Sequence, residues 1–413
     1  MARARPRQGT IAALDVGTGK TCCLIAHTEG GAIAVTGIGH TLSRGMRAGA
    51  VIDMPAVASV ITGAVQAAEE MAGESIEAVH LAVSAGQPAS RRVEVVLPLN
   101  GHAVGDAEVR RAIAAGRAGG EPGEREIVHA IPLGFAIDGN RRIRDPRGMY
   151  GERLAVTVHV VTAEPGPLRN LAACIARGHL DIAASVLAPY AAGLATLVED
   201  EKELGAVVLD MGAGTTGIAV FAEGEAVHAD VIPLGGAHVT HDIACGLTTS
   251  IEKAERLKAL YGSVVAGPTA ERETIDIERV GEGGETMTAS RAELAAIVRP
   301  RLEETFELVR DRLAAAGFLA VAGRRLVLTG GASQLHGAAE LAGRILDARV
   351  RLGRPLGVEG LAAATAGPAF SAAAGLLIHA VTTAADAVGR GIELNPGTAG
   401  RFGRLGRWFR ESL

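Results

Sequence analysis

The chain has 413 residues, 48% of them hydrophobic and 21% charged, and its 41 basic and 46 acidic side chains leave a net charge of −5. That composition excludes an intrinsically disordered chain, which needs low hydrophobicity and high net charge, and a general nucleic-acid binder, which needs a basic surplus. No uncharged apolar run approaches the roughly 20 residues that span a bilayer, and the basic start Met1–Arg7 leads into a strand-like segment, so a cytoplasmic chain of roughly two to four domains is expected. The four cysteines, Cys22, Cys23, Cys174 and Cys245, contain no CxxC and are expected to be buried reduced thiols. Among the basic residues only Lys20, Lys202, Lys253 and Lys258 are lysine, which marks a lysine here as a specific choice.

The chain opens on a pattern that it uses twice. Thr10–Cys23 reads TIAALDVGTGKTCC and Gly205–Ala219 reads GAVVLDMGAGTTGIA, and an offset of 195 residues lays Asp15 on Asp210, Gly17 on Gly212, Gly19 on Gly214 and Thr21 on Thr216. Each D-x-G-x-G-x-T follows a short apolar run and continues through a second strand, a turn (Glu29-Gly30-Gly31; Glu223-Gly224-Glu225) and a third strand. Between the copies, Pro55–Ala72 has helical periodicity, Ala78–Ser84 and Arg91–Leu97 read as strands, and Gly105–Ala118 as a helix. Glu126–Ile137 and Leu154–Thr162 are strands, and Pro167–Gly178 is a helix with proline near its start and glycine at its end. Gly86–Ala163 thus reads as a small α+β module inserted into the first half.

Beyond the second hairpin, His238–Leu260 reads as helical, Gly262–Thr288 as polar and irregular, and Arg291–Ala316 as a long amphipathic helix. Arg325–Leu328 is a strand running into Gly330-Gly331, followed by a helix from about Gln334 to Leu346. Ala369–Ala384 is the last helix of the body, and Asn395–Gly400 is a linker.

A glycine-rich turn between strands exposes backbone N–H groups that cradle phosphate, and threonine hydroxyls add uncharged donors. An aspartate at the strand end before such a turn suits the water shell of Mg²⁺. Two such turns facing each other would clamp a triphosphate. The segment Gly17–Thr21 (GTGKT) is not a Walker A loop, because its first glycine would fall on Leu14 and a hairpin follows where a helix is required. Glu255 and Lys258 lie three apart on one helical face, suited to ribose hydroxyls. Leu326–Gln334 (LVLTGGASQ) brings a glycine pair that lets backbone approach a flat base.

LDVGTGK, LDMGAGTTGIAV, AERLK and VLTGGASQ, in this order, resemble the actin, Hsp70 and sugar-kinase superfamily. Within it the text is similar to the FtsA family of bacterial division proteins, also through Ser43–Met54, Glu69–Val83, His129–Asp138, Val158–Ala163, Glu199–Leu204 and Val231–Asp242. The resemblance implies an α/β, actin-like (ribonuclease H-like) duplicated two-lobed ATPase fold. Its parts would be subdomain 1A at 1–85 and 164–203, the inserted subdomain 1C at 86–163, subdomain 2A at 204–249 and 319–366, and 2B at 250–318. A closing helix of 1A at 367–392, a linker at 393–400 and an amphipathic helix at 401–413 would complete the chain.

Carried over residue by residue, the resemblance gives Asp15, Gly17, Thr18, Gly19 and Lys20 to one phosphate turn and Asp210, Gly212, Gly214, Thr215 and Thr216 to the other. Asp15 and Asp210 would hold Mg²⁺ through water, Glu255 and Lys258 the ribose, and Gly330, Gly331 and Ser333 the adenosine of ATP. Hydrolysing relatives place a Glu or Gln on the segment equivalent to Leu187–Gly193 to orient the attacking water. Here Ala188 stands there, so weak hydrolysis at most is expected. The partner FtsZ and its docking surface on about Ser250–Phe318 follow from the resemblance alone, as do later division proteins.

In the tail, Phe402, Leu405, Trp408, Phe409 and Leu413 share a helical face flanked by Arg401, Arg404, Arg407 and Arg410, the pattern of a membrane-surface helix for anionic lipid. One such tail binds weakly, and several on a polymer of the chain bind by avidity. The expectation is therefore a peripheral protein on the cytoplasmic face of the inner membrane at the division site, with no nucleic-acid partner. The alternative, a small-molecule kinase of the same superfamily, needs a catalytic aspartate and a sugar pocket that cannot be located, and leaves the tail unexplained.

Overall fold

The computed structural model describes residues 9–119, 123–267, 269–280 and 286–389; the tail and its linker lie outside them. In chain order, β1 (Gly9–Val16), β2 (Lys20–Glu29) and β3 (Ala32–Leu42) form an antiparallel meander, with Gly30 and Gly31 both at positive φ in the second turn. A small hairpin of β4 (Met46–Arg47) and β5 (Ala50–Val51) leads to α1 (Met54–Ala72), started by the Asp53 side chain accepting from the Ala56 N–H and stopped by Gly73 in the left-handed region. Helix α1 lies directly on β3, where a Cβ at Gly39 would fall 1.8 Å from the Ala64 carbonyl oxygen. The strand β6 (Ala78–Val83) then pairs parallel to β1.

The insert follows: β7 (Ala89–Pro98), α2 (Asp106–Gly119), β8 (Glu126–Ile137), β9 (Asn140–Ile143) and β10 (Arg153–Ala163). Its four strands are antiparallel in the order β7-β10-β8-β9, and α2 helps cover a separate core that includes Val109, Phe135, Leu154 and Val158. The chain returns through α3 (Pro165–Ala176), β11 (Asp181–Leu187), α4 (Ala188–Thr196) and α5 (Glu199–Leu204), closing a first sheet ordered β11-β6-β1-β2-β3.

The second half repeats that plan. Strands β12 (Ala206–Met211), β13 (Thr216–Ala222) and β14 (Glu225–Ile232) form the meander, and the helices α6 (Gly236–Leu247) and α7 (Ile251–Tyr261) follow. Next come β15 (Thr274–Glu278), β16 (Thr286–Ser290), α8 (Arg291–Ala315), α9 (Leu319–Arg324), β17 (Leu326–Thr329), α10 (Ala338–Ile345) and β18 (Val350–Leu352). The second sheet runs β14-β13-β12-β17-β18, the same order of hairpin, third strand and parallel additions as the first. Finally α11 (Ser371–Gly389) crosses back and packs on α4 of the first half. Among the described residues no helix is long and apolar enough to cross a membrane.

Five expectations are corrected. The single helix expected over His238–Leu260 is two, because Thr248 takes a left-handed conformation and Ser250 caps a new start by accepting from the Lys253 N–H. The irregular stretch Gly262–Thr288 contains β15, which pairs antiparallel with β16, and β16 extends past it to Ser290. The helix expected from Gln334 starts at Ala338, after a 3₁₀ turn at Gly331–Gln334, and the last helix starts at Ser371 after another at Pro368–Phe370. Three cysteines are buried, but Cys245 is exposed on α6.

The insert and both lobes meet at a buried aromatic junction. His129 of β8 stacks on Tyr190 of α4 at 5.2 Å between ring centroids, Tyr190 stacks on Phe221 of β13 at 6.1 Å, and His379 of α11 meets Tyr190 edge-on. Ser90 of β7 shares a 2.6 Å hydrogen bond with His159 of β10 and accepts from the Ala229 N–H of β14. Burial holds all these histidines neutral: it pushes His159 down to about 4 and His379 to about 3, and lowers His129, whose ring nitrogens have no hydrogen-bond partner.

Candidate functional site: a cleft between two matched turns

The repeated motif becomes two turns of one design. Gly17 N–H donates to the Lys20 carbonyl at 3.0 Å, and Gly212 N–H to the Thr215 carbonyl at 2.8 Å. They face each other across the lobes: a Cβ at Gly19 would lie 2.7 Å from the Ala213 Cβ, and one at Gly214 would lie 2.3 Å from the Thr18 hydroxyl. Glycine is therefore demanded at both positions by the opposing turn and not by the local backbone.

Asp15 and Asp210 end β1 and β12, at equivalent registers next to the parallel strands β6 and β17. Burial raises both carboxyl groups. Asp210 is pushed up to about 7, by burial first and then by the charge of Asp15, while Lys20 opposes both shifts. Two carboxylates withdrawn from water in this way favour a cation at the cleft. Lys20 supplies part of that charge, but its ammonium is anchored: it donates to the Ala369 carbonyl and stands 3.4 Å over the Phe370 ring. Phe370 therefore holds the Lys20 ammonium in place.

Several hydroxyls assigned to ligand contact are engaged within the protein. The Thr18 hydroxyl accepts from the Gly49 N–H, the buried Thr216 hydroxyl donates to the Leu234 carbonyl, and the Ser333 hydroxyl closes its own turn onto the Gly330 carbonyl. With these hydroxyls engaged, the donors the turns offer to the cleft are chiefly backbone N–H groups. Gly330 has φ +82, and a Cβ there would meet Asp210 Oδ1 at 2.6 Å; Gly331 is uncrowded.

The geometry adds residues beyond those named from the sequence. Gly236 N–H donates to the Gly212 carbonyl at 2.9 Å and Ala237 N–H to the Ala213 carbonyl at 2.7 Å, which seats the start of α6 on the second turn. A Cβ at Gly235 would fall 2.6 Å from the Gly212 carbonyl oxygen. Glu255 and Lys258 of α7 join this network, Lys258 bonding Glu255 and both the Gly236 carbonyl and the Thr240 hydroxyl of α6. The glycine pair just before a helical pattern was the available signal for Gly235 and Gly236; nothing in the local text marked Thr240. The tail residues Arg401, Phe402, Arg404, Leu405, Arg407, Trp408, Phe409 and Arg410 lie outside the described residues.

Comparison with known proteins agrees with this architecture. The family model "Cell division protein FtsA" matches residues 207–375, and "SHS2 domain inserted in FTSA" matches residues 85–162. The chain is 45% identical to the cell division protein FtsA of Rhizobium meliloti (strain 1021), over 98% of this chain and 96% of that protein. Among solved structures it is similar to the PilM–PilN type IV pilus biogenesis complex, with TM-score 0.64 and 19% identity over 92% of this chain and 99% of that one. It is also similar to MreB5 of Spiroplasma citri bound to ADP, with TM-score 0.53 and 14% identity over 94% of this chain and 99% of that one. With an actin-like fold, an SHS2 insert in the first half and a relative at 45% identity over nearly the whole length, the chain belongs to the FtsA family of cell division proteins.

Proposed function

We propose that this chain is an ATP-binding division protein that polymerises on the inner face of the cytoplasmic membrane, tethers FtsZ there and helps recruit later division proteins. The observation that carries the nucleotide part is the pair of opposed turns, each packed against the other through a glycine, with Asp15 and Asp210 at their bases. The ADP held by the structural relative MreB5 supports the same reading. The backbone N–H groups of both turns would hold the phosphates, and Asp15 and Asp210 would orient the waters of Mg²⁺, whose charge would neutralise phosphate oxygens when bound. Glu255 would take the ribose, and Gly330 and Gly331 would pass beneath the base.

Hydrolysis is proposed to be weak. Ala188 opens α4 at 3% exposure and offers only a methyl group, which polarises no water. For FtsZ, kinship with division proteins is the support, together with exposed Ile251, Leu260, Tyr261 and Val265 on and beside α7. For membrane attachment, the support is the amphipathic pattern of residues 401–413.

Co-sedimentation with anionic liposomes, with and without ATP, tests the whole. The wild type should bind with a steep dependence on protein concentration, and Trp408→Glu should release it while ATP affinity stays intact. Normal binding by Trp408→Glu, or binding without concentration dependence, would refute avidity-based anchoring by the tail.

A further inference from the structure

Lys258 is saturated. Its Nζ donates to Glu255 Oε2 at 2.7 Å, to the Thr240 hydroxyl at 2.8 Å and to the Gly236 carbonyl at 3.0 Å. An ammonium has three N–H groups, so each is committed within the protein. Thr240, 3% exposed, stands at the centre of this network. Its oxygen accepts from Lys258, and its single proton faces Glu255 Oε2 at 2.5 Å and the Gly236 carbonyl at 3.1 Å. The shorter contact is the charge-assisted one and takes the proton. One carboxylate oxygen of Glu255 is thereby fixed by two donors. The side chain is still 55% exposed, and its other oxygen, Oε1, bonds no described residue. The network also lies against the segment assigned to adenosine, since a Cβ at Gly236 would lie 3.1 Å from the Ala332 Cβ and 3.5 Å from Lys258 Nζ.

From this count we infer that Thr240 is a positioning residue for ribose recognition. It pins one oxygen of Glu255 so that Oε1 is presented as the acceptor for a ribose hydroxyl, while Lys258 serves the carboxylate and not the sugar. The inference rests on the nucleotide-binding reading of the cleft and reassigns the work within it.

The test is a direct titration of the full-length chain with ATP, 2′-deoxy-ATP and 3′-deoxy-ATP in the presence of Mg²⁺. Wild type should prefer ATP over the analogue lacking the contacted hydroxyl by about tenfold, the lower end of what a hydrogen bond to a charged group contributes, given the exposure of Glu255. Thr240→Val should lose most of that preference while keeping wild-type affinity for the deoxy analogue, Thr240→Ser should retain it, and Glu255→Gln should lose the preference. A direct Lys258 contact predicts the opposite for Thr240→Val, because the freed N–H would raise the preference. That result, or an unchanged preference, overturns the inference. If Thr240→Val shows no cooperative melting transition, Thr240→Ala takes its place with the same expected loss. Absence of ATP binding by the wild type would overturn the nucleotide reading itself, and so is distinguishable from failure of the Thr240 assignment.

Discussion

Thr18 and Gly214 belong to opposite lobes, yet the Thr18 hydroxyl lies only 2.3 Å from where a Cβ on Gly214 would stand. Closure of the two turns therefore depends on the missing side chain. Gly214→Ala should hold the turns apart and lower ATP affinity by about tenfold or more, the loss expected when one or more charged phosphate contacts fail to form. Adding Thr18→Gly should recover part of the loss, because residues in direct contact are energetically coupled. Equilibrium titration of the four chains of this double-mutant cycle measures the coupling, and additive effects would contradict direct contact as the cause.

The aspartates make a separable prediction. Burial, and then the charge of Asp15, disfavours the charge of Asp210, so Asp210→Ala should leave the melting temperature without nucleotide unchanged or raised. The same substitution should weaken Mg²⁺-ATP binding by about 10- to 100-fold. A chain that binds ATP as tightly as wild type after this change would remove the carboxylate from the site.

Turnover follows from Ala188. Steady-state phosphate release should stay well below the ~1–100 s⁻¹ of kinases, with Mg²⁺ and lipid present. A rate within that range would show that another residue orients the water.

The buried histidines predict an acid-sensitive fold. His80 and His159 are held at about 4 and His379 at about 3, all by burial first, against about 6.5 in an unfolded chain. The folded state keeps them neutral, so as pH falls below about 6.5 the unfolded chain takes up protons first. Their contribution is whole above that pH and is lost progressively down to about 4, and for His379 down to about 3. Asp210 acts with the opposite sign: its cost to stability is whole above about 7 and shrinks progressively as pH falls from there toward the ordinary carboxylate value of 3.8. The difference between wild type and His129→Gln isolates the share of His129, a histidine that burial also lowers. Scanning calorimetry from pH 7.5 to pH 4.5 should show a shallower decline in the variant, and parallel curves would exclude His129 from the effect. Among the described residues, the charged groups that face this junction include Arg92, against His159 and His228, and Asp230, against His228.

What the sequence determined by itself is local. The two D-x-G-x-G-x-T turns, the hairpins around them, the α+β insert and the Glu255–Lys258 spacing were legible because turn chemistry and side-chain periodicity act within a few residues. The break at Thr248 escaped because a non-glycine residue in the left-handed region carries little local signal. The tertiary structure decided the rest. It set Gly214 against Thr18, turned Lys20 toward Ala369 and Phe370, and gathered His80, His129, His159, His228 and His379 from five separate segments. It also committed all three Lys258 protons, a count that depends on where α6 meets α7. Those relationships join segments tens to hundreds of residues apart, and their free energy comes from burial and from hydrogen bonds that exist only once the segments have packed.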